Sequence, residues 1–176
     1  MKRRSPPPAL APEPAPEPAP ELAPHATPLR YRVREGHLLQ VDDVTSARMA
    51  GVRQKATRPE RLVGSLLREL GQRYRLNNRD LDGSPDFANR RARWALFVHG
   101  CFWHRHGCSA TTLPTRNREF WQAKFARNLA RDARTSEALR AAGYRVIVIW
   151  ECETKRGAPG LLERLRAAFA ANGAAG

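Results

Sequence analysis

Residues 94–108 read WALFVHGCFWHRHGC, and the change of character halfway through this stretch decides the fold. Trp94–His99 is an apolar run that ends in a histidine and reads as a short strand. From Gly100 the pattern breaks. Cys101, Phe102, Trp103, His104, His106 and Cys108 follow in close order, interrupted by Arg105 and Gly107. Metal ligands, proton carriers and large aromatics therefore leave the end of a core strand together.

The flanking segments supply the rest of such a sheet. Thr57-Arg58-Pro59-Glu60 has the signs of a helix start: a capping Thr, an early Pro and a Glu in the capping-box position. Leu62, Val63, Leu66, Leu67 and Leu70 recur at helical spacing, and Gly71 closes the run. Strand-like runs are predicted at residues 74–76 and 86–89, with the polar NRRAR of residues 89–93 as a turn before residue 94. A long helix is predicted over residues 118–142, ending at Gly143, with Trp121, Phe125, Leu129 and Leu139 on one face. The β-branched YRVIVIW of residues 144–150 reads as a buried strand, and residues 158–171 as an amphipathic helix. This order predicts an α/β fold, a mixed central β-sheet flanked by helices.

Cys101, His106 and Cys108 are spaced to share one ion, and Cys152 follows the second buried strand. Three thiolates and an imidazole match a closed, tetrahedral structural zinc site, which would use every cysteine of the chain. A second metal is suggested by Ser84-Pro85-Asp86-Phe87. If the runs at 86–89 and 94–99 pair as a hairpin, Asp86 lies roughly opposite Val98 and His99. A hard Mg²⁺ can then take the Asp86 carboxylate and the Val98 carbonyl. His99 and His104 flank that place, and an imidazole can take a proton from water attacking phosphorus. Asp132 falls by helical phase on the inward face of the long helix, where a carboxylate needs a partner such as His104.

Charge points to a polyanion. Lys and Arg total 31 against 17 Asp and Glu, a formal net charge of +14. Residues 1–44 carry equal numbers of acids and bases, so the excess lies in residues 45–176. Residues 6–28 hold ten of the fourteen prolines, including APEPAPEPAPELAP at 11–24, and such a stretch cannot bury a core. We therefore expect a disordered Pro/Ala/Glu-rich tail over 1–44 and a folded domain over 45–176. Apolar runs fall well short of the roughly 20 residues of a membrane span, and an intracellular setting with reduced cysteines is expected.

Taken together, HGCFWHRHGC, SPDF upstream, TRNREFWQAKFARNLARD downstream and YRVIVIWEC near the end closely resemble the very short patch repair (Vsr) endonuclease family over about residues 46–157. The resemblance implies a PD-(D/E)xK restriction-endonuclease-like fold with a structural zinc. It implies a Mg²⁺-dependent enzyme that nicks one strand of duplex DNA 5′ to the mismatched T of a T:G pair, starting repair of deaminated 5-methylcytosine. Carried over, Asp86 and Val98 hold magnesium, His104 is the general base with Asp132 as its partner, and His99 lies near the phosphate. Glu60 falls on an acidic position near the metal waters, and the zinc positions fall on Cys101, His106, Cys108 and Cys152. Phe102 and Trp103 match aromatics that wedge into the base stack, with Met49 at a second intercalating position. By the same resemblance the partners are T:G-mismatched duplex DNA, mismatch-repair proteins and a cognate cytosine methyltransferase system. The expected state is a cytoplasmic, nucleoid-associated bacterial monomer. The chain departs from the family at Val98, often Thr, and from general PD-(D/E)xK nucleases in lacking the second acid and the lysine, where FVHG stands instead. Competing readings are a zinc-stabilised protein that binds mismatched DNA without cutting, and a restriction-type nuclease of the same fold.

Overall fold

The computed structural model describes residues 30–41, 46–47, 50–51 and 57–170. The elements run β1 (Arg30–Arg34), β2 (His37–Val41), α1 (Arg58–Glu69), β3 (Phe87–Asn89), β4 (Trp94–His99), α2 (Arg118–Ala141), β5 (Arg145–Trp150), α3 (Glu151–Lys155) and α4 (Ala158–Ala170). β1 and β2 form an antiparallel hairpin, and β3, β4 and β5 form a second sheet in that order. β4 pairs antiparallel with β3 and parallel with β5, so the central sheet is mixed.

Side-chain alternation along β4 builds two cores, one on each face of the sheet. Trp94 and Leu96 join Ile147 and Ile149 of β5 against Val63, Leu66 and Leu67 of α1 and Leu161 and Leu165 of α4. Ala95 and Phe97 point the other way and meet Ala88, Leu139 and Tyr144 beneath α2. Helices on both faces explain why β4 is apolar at nearly every position. The same alternation turns His99 to the α2 side.

α1 starts as expected. The Thr57 hydroxyl accepts from the Glu60 N–H at 3.4 Å and donates to Glu60 Oε1 at 2.7 Å. Gly71 ends the helix with φ 66° and donates its N–H to Arg68.

Several expectations change. Residues 74–76 form only an isolated bridge, Arg75 with Ala88, because the Tyr74 hydroxyl turns to the Gly64 carbonyl and Arg68 of α1. Leu129 is 47% exposed, whereas Phe120 is buried, so the apolar face of α2 is set by its aromatics. An unstructured tail through residue 44 does not hold for residues 30–41. They form the hairpin, whose Glu35 and Gly36 both have positive φ, as a two-residue turn of this hand requires. Residues 1–29 lie outside the described residues, as does Met49.

The loop before β3 is pressed against α2 at one glycine. Gly83 has φ +68°, and a Cβ there would lie 2.2 Å from Thr135 Cγ2. Gly71, at φ +66°, would meet nothing within 4 Å. Gly71→Ala therefore bears only backbone strain, about 1 kcal/mol, and Gly83→Ala should lose about 1–2 kcal/mol more. Urea unfolding of both variants checks this. Equal losses would show that the loop does not rest on α2.

Candidate active site and metal cluster

The C-terminal ends of β4 and β5 leave the sheet side by side, with Val98 level with Ile149 and His99 level with Trp150. Cys101 follows β4 after a single glycine, Gly100, and Cys152 sits in the first turn of α3 after β5. The Cys152 N–H reaches Cys101 Sγ at 3.3 Å. His106 Nδ1 lies 3.3 Å from Cys152 Sγ and 3.8 Å from Cys101 Sγ. The ligand atoms of Cys101, His106, Cys108 and Cys152 all fall within 4.8 Å of one another. These separations suit a single ion bound by all four. Burial pushes the Cys101 thiol up to about 12, and the His106 hydrogen bond brings Cys108 down to about 6. A cation at the centre would favour both thiolates.

Between Cys101 and His106 the chain winds tightly. The Gly100 carbonyl accepts from the N–H groups of Trp103 and His104, and the Cys101 carbonyl accepts from His106 N–H. A Cβ on Gly100 would approach Trp103 Cδ1 to 3.1 Å. This turn throws His104 back over the end of β4, where its ring stacks on His99 at 3.8 Å between centroids and 9° between planes.

Asp132 of α2 meets His104 at Nδ1. A carboxylate accepts, so Nδ1 carries the proton and Nε2 is left as the basic nitrogen. The second Asp132 oxygen takes Arg131 at 3.2 Å. His99 is pushed down to about 4, chiefly by burial and then by the charge of His104, with Arg131 adding and Asp132 opposing. It is neutral at neutral pH.

Asp86 completes the pocket from the β3 side. The sheet register pairs Phe87 with Leu96, so Asp86 comes level with Phe97, one residue short of the expected position opposite Val98 and His99. Its Oδ2 still reaches across to accept the Val98 N–H at 2.7 Å. Burial raises the Asp86 carboxyl to about 6, against the pull of that hydrogen bond, and the charge of Glu60 on α1 raises it further. Asp86, His99, His104, Arg131 and Asp132 line one cavity of about 400 Å³. Phe102 and Trp103, the two residues before His104, are half-buried and edge-on to each other. Phe102 packs on Trp121 and Phe125 of α2, and Trp103 on Trp121.

Three supporting residues carry no signal in the sequence pattern. Buried Asn78 donates to the carbonyls of Arg75 and Pro85, which fixes the approach to Asp86. Asn128 of α2 donates to the Trp103 carbonyl at 2.9 Å. Trp150 stacks on His106 at 4.3 Å, backing the cysteine cluster. Each acts by packing or by a backbone contact that only the fold reveals.

The family described as DNA mismatch endonuclease Vsr matches residues 40–110 of the chain. The Type II nicking enzyme V.XorIIP of Xanthomonas oryzae pv. oryzae is 50% identical over 105 residues, 60% of this chain and 77% of the relative. V.NmeAIP of Neisseria meningitidis, another Type II nicking enzyme, is 39% identical over 110 residues, 62% of this chain and 79% of its own length. The DNA mismatch endonuclease Vsr of Escherichia coli is 37% identical over 107 residues, 61% of this chain and 69% of that protein.

The raised Asp86 carboxyl has a measurable cost. Its ionisation opposes folding: nothing below its unfolded value near 3.8, growing between 3.8 and 6, and full above 6. In metal-free buffer Asp86→Asn should therefore be more stable than wild type at pH 7, by up to about 3 kcal/mol. The gap should close below pH 4. Denaturant titrations of both proteins from pH 4 to 8 read it directly, and a gap independent of pH would refute the assignment.

Proposed function

The chain belongs to the DNA mismatch endonuclease Vsr family of DNA-cleaving hydrolases, and from that membership and the pocket's geometry we propose that it nicks one strand 5′ to the mismatched T of a T:G pair. The observation that carries the reading is the convergence of Asp86, His99 and the His104–Asp132 pair on one cavity at the sheet's end. A DNA-cutting site needs a base for water and a place for phosphate charge, and these groups supply both.

His104 takes the proton of the attacking water at Nε2, and Asp132 holds the ring and stabilises the imidazolium that forms. His99, neutral, sits behind His104 and donates to the phosphate. The buried Asp86 carboxylate, with Glu60 near it, fits a divalent cation, because a bound cation offsets both the burial and the like charge that raise its pKa. Asp86 and the Val98 carbonyl would hold Mg²⁺, which supplies Lewis acidity toward a phosphate oxygen. The donor set of Cys101, His106, Cys108 and Cys152 fits zinc, soft thiolates with one imidazole. We assign that ion a structural role, and the sheet to the PD-(D/E)xK type.

Phe102 and Trp103 are the wedge. Their footing on Trp121 and Phe125 holds them rigid against a base step, and a mismatched step is cheaper to unstack. The catalytic unit is residues 45–176 together with the docked hairpin, acting as a monomer. The substrate arises where a partner cytosine methyltransferase marks DNA, and mismatch-repair proteins share the lesion. No helix among the described residues is long and apolar enough to cross a membrane, and we assign the protein to the bacterial cytoplasm and nucleoid.

The test is cleavage of matched duplexes carrying T:G or T:A, with Mg²⁺. Wild type should nick only the T strand of the T:G duplex. His104→Ala should slow nicking by roughly 10²–10⁴-fold, and Asp86→Ala should abolish it while binding persists. Equal cutting of both duplexes would favour a restriction-type nuclease. Binding without cutting by wild type would favour the non-cleaving reading.

A further inference from the structure

The hairpin Arg30–Val41 begins ahead of the family match, which starts at residue 40, yet it is built into the fold. Asn117, in the left-handed region at φ 56° ahead of α2, makes no capping bond to the helix. Its side chain instead accepts from the Gln40 N–H at 2.9 Å and donates to the Gln40 carbonyl at 2.8 Å, in the manner of a strand partner. Glu35 at the turn pairs with Arg127 of α2, and His37 packs edge-on against Phe120 at 5.7 Å. Buried Leu39 lies between these anchors.

The register decides what the hairpin presents. Arg30, Arg32 and Arg34 stand opposite Val41, Leu39 and His37, so the arginines share the face that turns toward α2. β1 is exposed at every residue, so these side chains remain open to solvent. Among them, Arg34 lies within electrostatic reach of Lys124. Lys124 lies over the rings of Trp103, Phe120 and Trp121 at 5.5–5.6 Å. Its pKa is lowered by burial, then by the charges of Arg34 and Arg127, with Glu35 opposing. Arg34, Lys124 and Arg127 thus gather around one carboxylate. From the pocket, His104 is followed by Trp103, over whose ring Lys124 sits at 5.5 Å, and Arg34 acts on Lys124 electrostatically.

We propose that the β1–β2 hairpin is a second DNA-binding element, clamping the phosphate backbone of the duplex flanking the nick site through Arg32 and Arg34, with Lys124 and Arg127 beside them. It rests on the reading of the pocket as a DNA-nicking site. Like charges held this close oppose folding and are relieved by a polyanion. Arginine in alternate positions of an exposed strand suits a phosphate row. Such contacts carry no sequence information, so the hairpin adds affinity for any duplex and leaves discrimination to the wedge.

The test measures binding of a fluorescein-labelled T:G duplex, and of its T:A counterpart, against NaCl concentration. Arg32→Ala/Arg34→Ala should lower affinity about tenfold for both duplexes alike. The slope of log K against log salt should flatten by about 2. Arg32→Lys/Arg34→Lys should restore the slope. The loss of affinity should exceed any loss in the single-turnover nicking rate at saturating protein. If wild type binds and nicks but the alanine variant keeps its affinity and slope, the clamp is refuted while the site stands. If wild type binds no duplex, the underlying reading fails and the clamp with it. Should wild type sediment as a dimer that Tyr31→Ser/Leu38→Ser dissolves, with the arginine variants binding DNA normally, the hairpin is a protein contact and the proposal is overturned.

Discussion

Parallel pairing of β4 with β5 brings two strand ends out at one level, and the chemistry of the molecule hangs from that edge. His99 lies beside Trp150, and the cysteines that follow, Cys101 and Cys152, are near enough for a backbone N–H of one to meet the sulfur of the other. The Cys/His cluster brings both ends of the Cys101–Cys108 loop to this junction, with the four ligand atoms within 4.8 Å of one another. Its short internal turn then has few conformations open to it. His104 stacks on His99, and Asp132 of α2 meets its Nδ1. The base and the wedge we propose, His104 and Phe102–Trp103, are thus neighbours in one short loop.

The pocket is assembled from groups that folding alone does not favour. Asp86 is raised to about 6 and His99 lowered to about 4, both chiefly by burial. Each shift records the cost of holding a charged form away from water, so burial keeps His99 neutral and makes the Asp86 carboxylate costly. The hairpin side repeats this: Lys124 sits among aromatic rings with arginines nearby. Under the function we propose, DNA and a divalent cation would offset these costs on binding.

Much of this was legible in the residues. Strand composition located Trp94–His99 and the run to Trp150, and the Thr57 cap, Pro59 and Gly71 bounded α1. The cysteine spacing anticipated a cluster whose atoms do converge. Legibility failed where tertiary contacts overrode local pattern. Leu129 fits a helical stripe but faces water, since α2 uses Phe120 and Phe125 as its buried aromatics. Tyr74 has strand character, yet its hydroxyl is taken by α1. The alternation of RYRVR and HLLQV around Glu35-Gly36 was a hairpin signal, masked by the proline-rich segment next to it and by a charge balance that suggested a tail. Asn78, Asn117 and Asn128 act on backbone groups distant in sequence, a role no spacing announces.

The central claim is that a metal in the Cys/His cluster holds the loop that carries both base and wedge. Its most direct test withdraws zinc by graded chelation while metal content, near-ultraviolet circular dichroism and single-turnover nicking of a T:G duplex are followed on the same samples. The account predicts one zinc per chain, and ordered aromatic signal and nicking lost in proportion to zinc, because structural metal binding is folding free energy. Full nicking with an unchanged aromatic signal after verified removal of the metal would contradict it.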